Sequence, residues 1–334
     1  MARSDLLINL IEAGTRGDAV LFRRTAEALV AEERAKQHHV LAEQLQRAIS
    51  NNNGQLRPKA VTSSGTFEAP VLELTPRRSL KEVFLPDGVR HQCEELIEEQ
   101  NRVALLRSYN LEPRHKIMIS GPPGNGKTTL AEALAYELSL PLFVVRYEAV
   151  IGSYLGETAA RLDKVFTFAR TRNCVLFFDE FDTIGKERGD THETGEIKRV
   201  VSSLLLQIDQ LPSNVVVVAA TNHSELLDRA AWRRFEVRLS LPAPERAARA
   251  EWFRRFSETF GLEFGYSDSQ LAAKTTGASF AQLEQFSLDI LRRRVLNQGT
   301  GDTRAIVTDQ LKRWSSRVAV VSQNSRKSGK RSRA

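Results

Sequence analysis

The sequence predicts an α/β fold in which helices cover both faces of a parallel sheet. Between residues 117 and 241, short apolar segments alternate with longer segments of helical periodicity, as expected for strands joined by helical crossovers. After Pro242 and Pro244 only helical patterns follow, and the residues before 51 are also helical in pattern. The 334 residues can therefore form a sheet domain with a smaller helical module on each side.

Five apolar segments are predicted as strands because each is a short run bounded by turn-forming or polar residues. They are Ile117–Ile119, Leu142–Val145, Val175–Phe178, Val215–Ala220 and Phe235–Leu239.

The domain boundaries follow from changes in composition. Residues 1–50 are predicted as an N-terminal helical module in which Asp18 is a candidate cap, and the Asn/Gly/Ser/Pro-rich residues 51–76 as a linker. A helical pattern at Asp87–Ser108 leads into the sheet domain, 77–242, and residues 322–334 are predicted to be a disordered basic tail. The C-terminal helical domain, 243–321, contains four predicted helices: Glu245–Thr259, Asp268–Lys274, Ser279–Leu296 and Thr308–Val321.

Residues Gly121–Thr128 match the pattern G-x-x-x-x-G-K-[ST] without a mismatch, between the first predicted strand and a predicted helix, Thr129–Leu140. There the glycines let successive N–H groups and the helix N-terminus face a phosphate, Lys127 would reach the β- and γ-phosphates, and Thr128 would hold Mg²⁺. A plain Gly/Pro turn is the alternative, which the register of strand, glycines, Lys and Thr disfavours. The sequence therefore predicts a P-loop nucleoside triphosphatase. The expected nucleotide contacts are Gly121, Pro122, Pro123, Gly124, Asn125, Gly126, Lys127, Thr128, Thr129 and Asp179.

Two carboxylates follow the third predicted strand. Because strands of α/β sheets present ligand-binding residues at their carboxyl ends, Asp179 is expected to hold Mg²⁺ and Glu180 to polarise the attacking water. Acidic residues often end strands, and it is the phosphate loop about fifty residues earlier that makes the pair informative.

Further candidates follow the fourth predicted strand. Asn222 could orient the attacking water or sense the γ-phosphate, or it could simply support a turn. Arg233 and Arg234 could reach a neighbouring subunit's nucleotide, where an arginine supplied in trans stabilises transition-state charge. The alternative is a solvated basic pair at a helix end.

These motifs occur in the order and at the spacing of the AAA+ ATPases, and residues 77–300 resemble the AAA subgroup, among small katanin- and spastin-like members. The resemblance implies that the enzyme binds ATP and Mg²⁺, that Asn222 is the sensor residue, and that Arg233 and Arg234 are arginine fingers. It also implies a ring, most often a hexamer, and a helical lid after Pro244. The segment Thr276–Phe280 resembles the start of the lid helix near the adenine, but Ala281 stands where the family often has an acid.

The same resemblance suggests what the ring acts on. Ser153–Glu157 is similar to the pore loop that grips polypeptide, with Tyr154 and Leu155 as the gripping residues, although Tyr154 could instead be a core residue. Gly185–Gly195 is expected to be a second pore loop or a solvated connection. No H-E-x-x-H motif is present, so a partner protease would have to be a separate chain; residues 1–50 would select a client or adaptor.

Net charge bears on the alternative functions. The chain carries +7, and subtracting the five positive residues of the tail leaves +2. This nearly neutral body disfavours a nucleic-acid motor or loader, which would use the tail and Arg292–Arg294. A slow ATP-dependent assembly switch is the third possibility. The tail's positive residues are Arg326, Lys327, Lys330, Arg331 and Arg333.

Composition also bears on the compartment. No apolar segment approaches the ~18 residues that cross a bilayer, and the N-terminus lacks the apolar region of a signal peptide. The two cysteines, Cys93 and Cys174, lie in apolar surroundings and are expected to be buried, reduced thiols. Together these features predict a cytoplasmic protein.

Overall fold

A computed structural model describes residues 6, 19–36, 38, 41–43, 45–46, 71–145, 155–182, 194–227, 229–297 and 302–314. Within this part of the chain six strands form one sheet, in the spatial order β1-β3-β4-β5-β2-β6. The strands are β1 (Val71–Leu74), β2 (Lys116–Ser120), β3 (Leu142–Val145), β4 (Cys174–Phe178), β5 (Val215–Thr221) and β6 (Val237–Ser240).

Helices connect and follow these strands in the order that the sequence predicts, and the α/β fold class is confirmed. The helices of the first part are α1 (Ala19–Ala35), α2 (Asp87–Asn101), α3 (Val103–Ser108), α4 (Lys127–Glu137), α5 (Leu155–Arg170), α6 (Thr194–Asp209) and α7 (Arg229–Trp232). Those that follow the sheet are α8 (Arg246–Phe260), α9 (Asp268–Lys274), α10 (Phe280–Leu296) and α11 (303–314).

The central strands are parallel and deeply buried. All residues of β4 and β5 are buried, and β5 pairs in parallel with both β4 and β2. The register sets Phe178 opposite Ala219 and Ser120 opposite Thr221. Since strands buried on both faces need apolar side chains on both faces, the continuous runs at 174–178 and 215–220 form these strands.

The edge strand β1 corrects the sequence prediction. Val71–Leu74 falls inside the predicted linker, but it pairs antiparallel with β3 from Val71↔Val145 to Leu74↔Leu142. Its side chains alternate between half-buried and exposed positions, which is the period-two pattern of an edge strand. Because Pro70 and Pro76 flank these four residues and proline is typical of loops, the sequence pattern predicted a linker here. The other predicted linker residues before 71 and the candidate cap Asp18 lie outside the described residues.

Two smaller differences concern helix and strand boundaries. The helical pattern predicted at Asp87–Ser108 is divided at Arg102, whose φ of −113° and ψ of 30° interrupt the helix. The last strand begins at Val237 rather than at Phe235. Phe235 is instead a buried core residue, with its ring edge-on to Phe181 at 5.7 Å.

The chain forms two compact units, each with its own hydrophobic core. The first unit contains the sheet, and side chains from β3, β4 and β5 pack there with those of α5 and α6. The second unit contains Phe84–Pro86, Gly121–Lys127 and the described residues from Ser240 onward. Its core includes Trp252, Phe253 and Phe286, and capping boxes at Ser267 and Ser279 begin α9 and α10. None of the described helices has the length and hydropathy needed to span a membrane.

Both cysteines are free and buried, as the sequence predicts: Cys93 on α2 is 1% exposed and Cys174 on β4 is 0% exposed. Burial raises the pKa of each thiol to about 12, so each is almost wholly protonated at pH 8, and a thiol rather than a thiolate is a poor nucleophile.

We therefore expect neither cysteine to react with Ellman's reagent in the native protein at pH 8, and both to react in guanidinium chloride. The reagent cannot reach the buried sulfur atoms, and at pH 8 almost none of either cysteine is in the reactive thiolate form. Absorbance at 412 nm measures the reaction. A Val295→Cys variant is the control, since Val295 is 67% exposed and its thiol should react at once. Fast native reaction of Cys93 or Cys174 would contradict the described core.

Candidate nucleotide-binding site

The phosphate loop has a backbone that requires glycine at two positions. Gly121 and Gly124 have φ of 149° and 77°, in the left-handed range that other residues rarely adopt. A Cβ on Gly121 would lie 2.1 Å from the carbonyl oxygen of Leu241, and one on Gly124 would lie 2.7 Å from Ser279 Oγ. The loop thus curls tightly into the start of α4, whose free N–H groups and dipole favour an anion.

Lys127 is held against this loop by the loop's own carbonyl groups. Its Nζ donates to the carbonyl oxygens of Gly121 at 2.7 Å and Pro122 at 3.1 Å, and the residue is only 7% exposed. A buried ammonium group beside a turn of backbone amides suits the phosphates of a nucleotide, because it supplies charge where the helix end supplies hydrogen-bond donors.

The two predicted Mg²⁺ ligands lie together in the first unit. Thr128 Oγ1 donates to Asp179 Oδ2 at 3.1 Å. A hydroxyl and a carboxylate are oxygen donors of the kind that Mg²⁺ binds. Among the described residues no group of three or more His, Cys, Asp and Glu side chains could hold a metal. This pair of a hydroxyl and a carboxylate fits a Mg²⁺ ion whose remaining positions are filled by water and phosphate oxygens, as is usual for Mg²⁺.

Glu180 occupies a strained turn directly after β4. Its φ is 48°, a left-handed conformation that costs a non-glycine residue about 1–3 kcal/mol and that clusters at functional sites. Asp179 Oδ1 accepts from the Glu180 N–H at 2.9 Å, and the Phe181 N–H donates to the carbonyl oxygen of Ala220 at 2.8 Å. Phe181 is 3% exposed. These contacts on both sides hold Glu180 at the surface in one backbone conformation.

A buried carboxylate, which the sequence reasoning missed, connects this turn to the end of β5. Asp182 is 3% exposed. Its Oδ1 accepts from Thr221 Oγ1 at 2.9 Å and from the Asn222 N–H at 3.3 Å. The segment that carries Glu180 and the segment that carries Asn222 are therefore held by one side chain. An acid two residues beyond Glu180, after an apolar residue, was the available signal.

The two adjacent arginines have different environments. Arg234 is half-buried, and its Nε donates to Asp209 Oδ2 at 2.8 Å. Arg233 is exposed, and its guanidinium has no partner among the residues that the structure describes. Arg234 is thus held by an ion pair to α6, whereas Arg233 is exposed.

An apolar cavity of about 380 Å³ lies in the second unit, next to the phosphate loop residue Asn125. Small-molecule sites usually measure about 300–1,000 Å³ and are mostly apolar. The rings of Phe84 and Phe280 stack at 5.2 Å, and Arg255 lies over Phe84 at 4.6 Å. The cavity is lined by Phe84, Leu85, Pro86, Asn125, Leu241, Pro242, Ala243, Pro244, Glu245, Ala247, Ala248 and Phe280.

Only part of this cavity was anticipated from the sequence. Phe280 belongs to the segment predicted near the adenine, and the Ala281 N–H donates to the carbonyl oxygen of Gly124 at 3.0 Å. The segment therefore contacts the phosphate loop through its backbone, which does not depend on an acid at position 281. Neither Phe84–Pro86 nor Pro242–Ala248 matched a motif.

Several predicted residues fall outside the described part of the chain. Tyr154 and residues 185–193 of the predicted second pore loop are among them, as is the basic tail. Leu155 is the first residue of α5, and its side chain is not described. Pro123, Gly126 and Thr129 lie where expected, in the loop and the first turn of α4.

Fold and site together define a P-loop ATPase. Residues 117–243 match the model of the ATPase family associated with various cellular activities (AAA). The chain is 34% identical over 304 residues to the AAA family ATPase y4kL of Sinorhizobium fredii, a match that covers 89% of this chain and 91% of that protein. The chain belongs to the AAA family and hydrolyses ATP. A position among the katanin- and spastin-like members stays a prediction.

Two longer relatives match over less than half of their own length. One is the Cell division cycle protein 48 homolog of Archaeoglobus fulgidus, 34% identical over 206 residues, or 59% of this chain and 28% of that protein. Another is the ATP-dependent zinc metalloprotease FtsH 3 of Sphaerobacter thermophilus, 34% identical over 221 residues, or 62% of this chain and 45% of that protein.

We predict that Asp182 positions Asn222 and Glu180. Asp182→Ala should lower kcat by about 10²-fold, because it removes the acceptor shared by Thr221 and Asn222, while the dissociation constant of ATP should change less than threefold. Asp182→Asn keeps an acceptor at Oδ1 and should retain most of the activity. Steady-state kinetics and equilibrium nucleotide binding give the two quantities.

Asp163→Ala on the exposed face of α5 is the matched control and should be near wild type. A purely structural role for Asp182 would appear as parallel losses of melting temperature, nucleotide affinity and kcat in both Asp182 variants, which would contradict the positioning role.

Proposed function

We propose that this ATPase is a ring-forming motor that remodels or unfolds protein substrates. The observation that carries the proposal is the exposed guanidinium of Arg233, which no described residue pairs, beside the anchored Arg234. Phosphoryl transfer to water needs positive charge near the γ-phosphate, and a trans arginine contributes ~10³–10⁵ in rate. An exposed arginine that no described residue pairs supports a site that is completed by the next subunit.

Within one subunit, we assign the described residues separate roles in nucleotide binding and in hydrolysis. The amides of the phosphate loop and Lys127 bind and orient the phosphates. Thr128 and Asp179 would hold Mg²⁺, which when bound neutralises charge on the phosphate oxygens. Glu180 orients the attacking water and accepts its proton, and Asn222, positioned by Asp182, holds that water in line.

Protein is the substrate that the chain's chemistry favours. The segment Ser153–Glu157 resembles a pore loop in which Tyr154 and Leu155 grip the substrate, and an aromatic ring can pack on any polypeptide. One relative is named as an ATP-dependent protease, which links ATP hydrolysis to action on protein. We propose that a protease acts with this ATPase as a separate partner, and that residues 1–50, which include α1, recruit a client or adaptor.

A nucleic-acid motor gains no support from the described residues. Arg292, one of the three arginines this alternative would use, is paired with Asp289 at 2.8 Å. The near-neutral charge of the body also leaves little attraction for phosphate backbones.

Arg233 and Arg234 are predicted to differ in mutation. Arg233→Ala should reduce kcat by about 10³-fold or more with ATP binding retained, because only transition-state charge is lost. Arg234→Ala should lose mainly a partly exposed ion pair, worth about 0–1 kcal/mol, and should retain most activity. ATP turnover and equilibrium binding measure both.

Mixing experiments separate a trans role from a cis role. Arg233→Ala subunits mixed with Lys127→Ala subunits should recover part of the activity, since a mixed interface pairs an intact phosphate loop with an intact Arg233. No recovery, in mixtures shown by light scattering to form rings, would contradict the trans assignment.

Tyr154→Ala should leave basal ATPase within about twofold of wild type and abolish ATP-dependent unfolding of a model protein, because only substrate grip is removed. Tyr154→Phe should retain unfolding. Tyr109→Ala is the matched control, as Tyr109 is 73% exposed. Loss of unfolding is read by fluorescence of a tagged substrate. If Tyr154→Ala instead lowers the melting temperature strongly, Tyr154 is a core residue and the assignment is wrong.

A further inference from the structure

Asn125 has a buried side chain without hydrogen-bond partners. The residue is 3% exposed, and neither its Nδ2 nor its Oδ1 has a partner in the described protein. Native proteins satisfy the large majority of buried polar side-chain atoms, because an unpaired buried amide loses its hydrogen bonds to water without replacement. Both halves of one amide are unpaired here, so the side chain suits a ligand with one donor and one acceptor.

The surroundings of Asn125 restrict what that ligand can be. Most of the other cavity-lining residues are apolar, including the stacked rings of Phe84 and Phe280. The other polar side chain of the lining belongs to Glu245, which is exposed. Flat apolar walls with a single buried amide suit a planar heteroaromatic ring that has one polar edge.

The position of Asn125 is fixed by its neighbours in the same unit. The carbonyl oxygen of Gly124 accepts from the Ala281 N–H at 3.0 Å, and a Cβ on Gly124 would lie 3.2 Å from that of Ala281. On the other side, Lys127 is bonded to the carbonyl oxygens of Gly121 and Pro122. The loop segment that carries the amide is therefore held at both ends. Such preorganisation lowers the cost of ordering the side chain when a ligand binds.

We propose that Asn125 selects adenine by pairing its amide with N6 and N7 of the base. Adenine presents a donor at N6 beside an acceptor at N7, which complement Oδ1 and Nδ2 of an asparagine. The same edge of guanine presents two acceptors, O6 and N7, so that the amide oxygen, itself an acceptor, would face a guanine acceptor. This inference rests on the nucleotide site of the proposed function, and it assigns the discrimination between bases to one side chain.

The test uses the full-length chain and nucleoside diphosphates, so that neither hydrolysis nor ring activity enters the result. Dissociation constants are measured by displacement of a fluorescent ADP analogue with ADP, GDP and 7-deaza-ADP, which lacks N7. The variants are Asn125→Ala and Asn125→Leu. Asn173→Ala changes an exposed asparagine between β4 and its preceding helix and is the matched control.

We expect the wild type to bind ADP at least about tenfold more tightly than GDP or 7-deaza-ADP. Asn125→Ala should weaken ADP binding by about that factor and leave the other two affinities within about threefold, so that discrimination disappears. The melting temperature of nucleotide-free Asn125→Leu should equal or exceed that of the wild type, because an unpaired buried amide is replaced by an apolar group of similar size.

Three results would overturn the proposal. Equal wild-type affinity for ADP and 7-deaza-ADP would remove the N7 contact, and equal losses for all three nucleotides in Asn125→Ala would show that the residue acts through loop conformation. Absence of ADP binding to the wild type would overturn the nucleotide site itself. Failure of the Arg233 mixing experiment would leave the base-selection result standing, since binding of ADP does not need a second subunit.

Discussion

The parallel pairing of β4 and β2 with β5 is the constraint on which the catalytic geometry depends. Both β4 and β5 are completely buried, so their register cannot slip without moving a polar residue into the core. That register brings the ends of three strands to one edge of the sheet. The strain at Glu180 is tolerated there because the next residue, Phe181, is packed in the core and its N–H donates a hydrogen bond to the carbonyl oxygen of Ala220. Asp182 accepts hydrogen bonds from Thr221 and from the Asn222 N–H, and so holds Asn222 in a fixed position relative to that turn.

A second constraint acts on the phosphate loop within the other compact unit. The backbone approaches Leu241 and Ser279 so closely at Gly121 and Gly124 that only glycine fits. A base bound in the neighbouring cavity would contact segments that continue into α8 and α10 as well as the loop residue Asn125. A bound base would therefore restrain α8 and α10 together with the phosphate loop.

Much of this could be predicted from the sequence because it depends on local patterns. The buried strands β3, β4 and β5 are continuous apolar runs, and the phosphate loop is a motif whose residues are consecutive. The edge strand Val71–Leu74 was missed because its pairing with β3 is decided by tertiary contact, while its flanking prolines indicate loop. Asp182 and Phe84 were missed for a related reason: their partners lie 39 residues or more away, and no short motif records such contacts. The different environments of Arg233 and Arg234 likewise follow from Asp209 on another helix.

The most direct test of the catalytic account is the identity of the nucleotide bound by Glu180→Gln after incubation with ATP and Mg²⁺. The protein is separated from free nucleotide, denatured with acid, and its nucleotide is analysed by chromatography, with exposed Glu284→Gln on α10 as the matched control. If Glu180 activates the attacking water, the variant retains ATP in near-stoichiometric amount while the wild type and the control yield ADP. ADP formed by Glu180→Gln at the wild-type rate would show that another group activates the water.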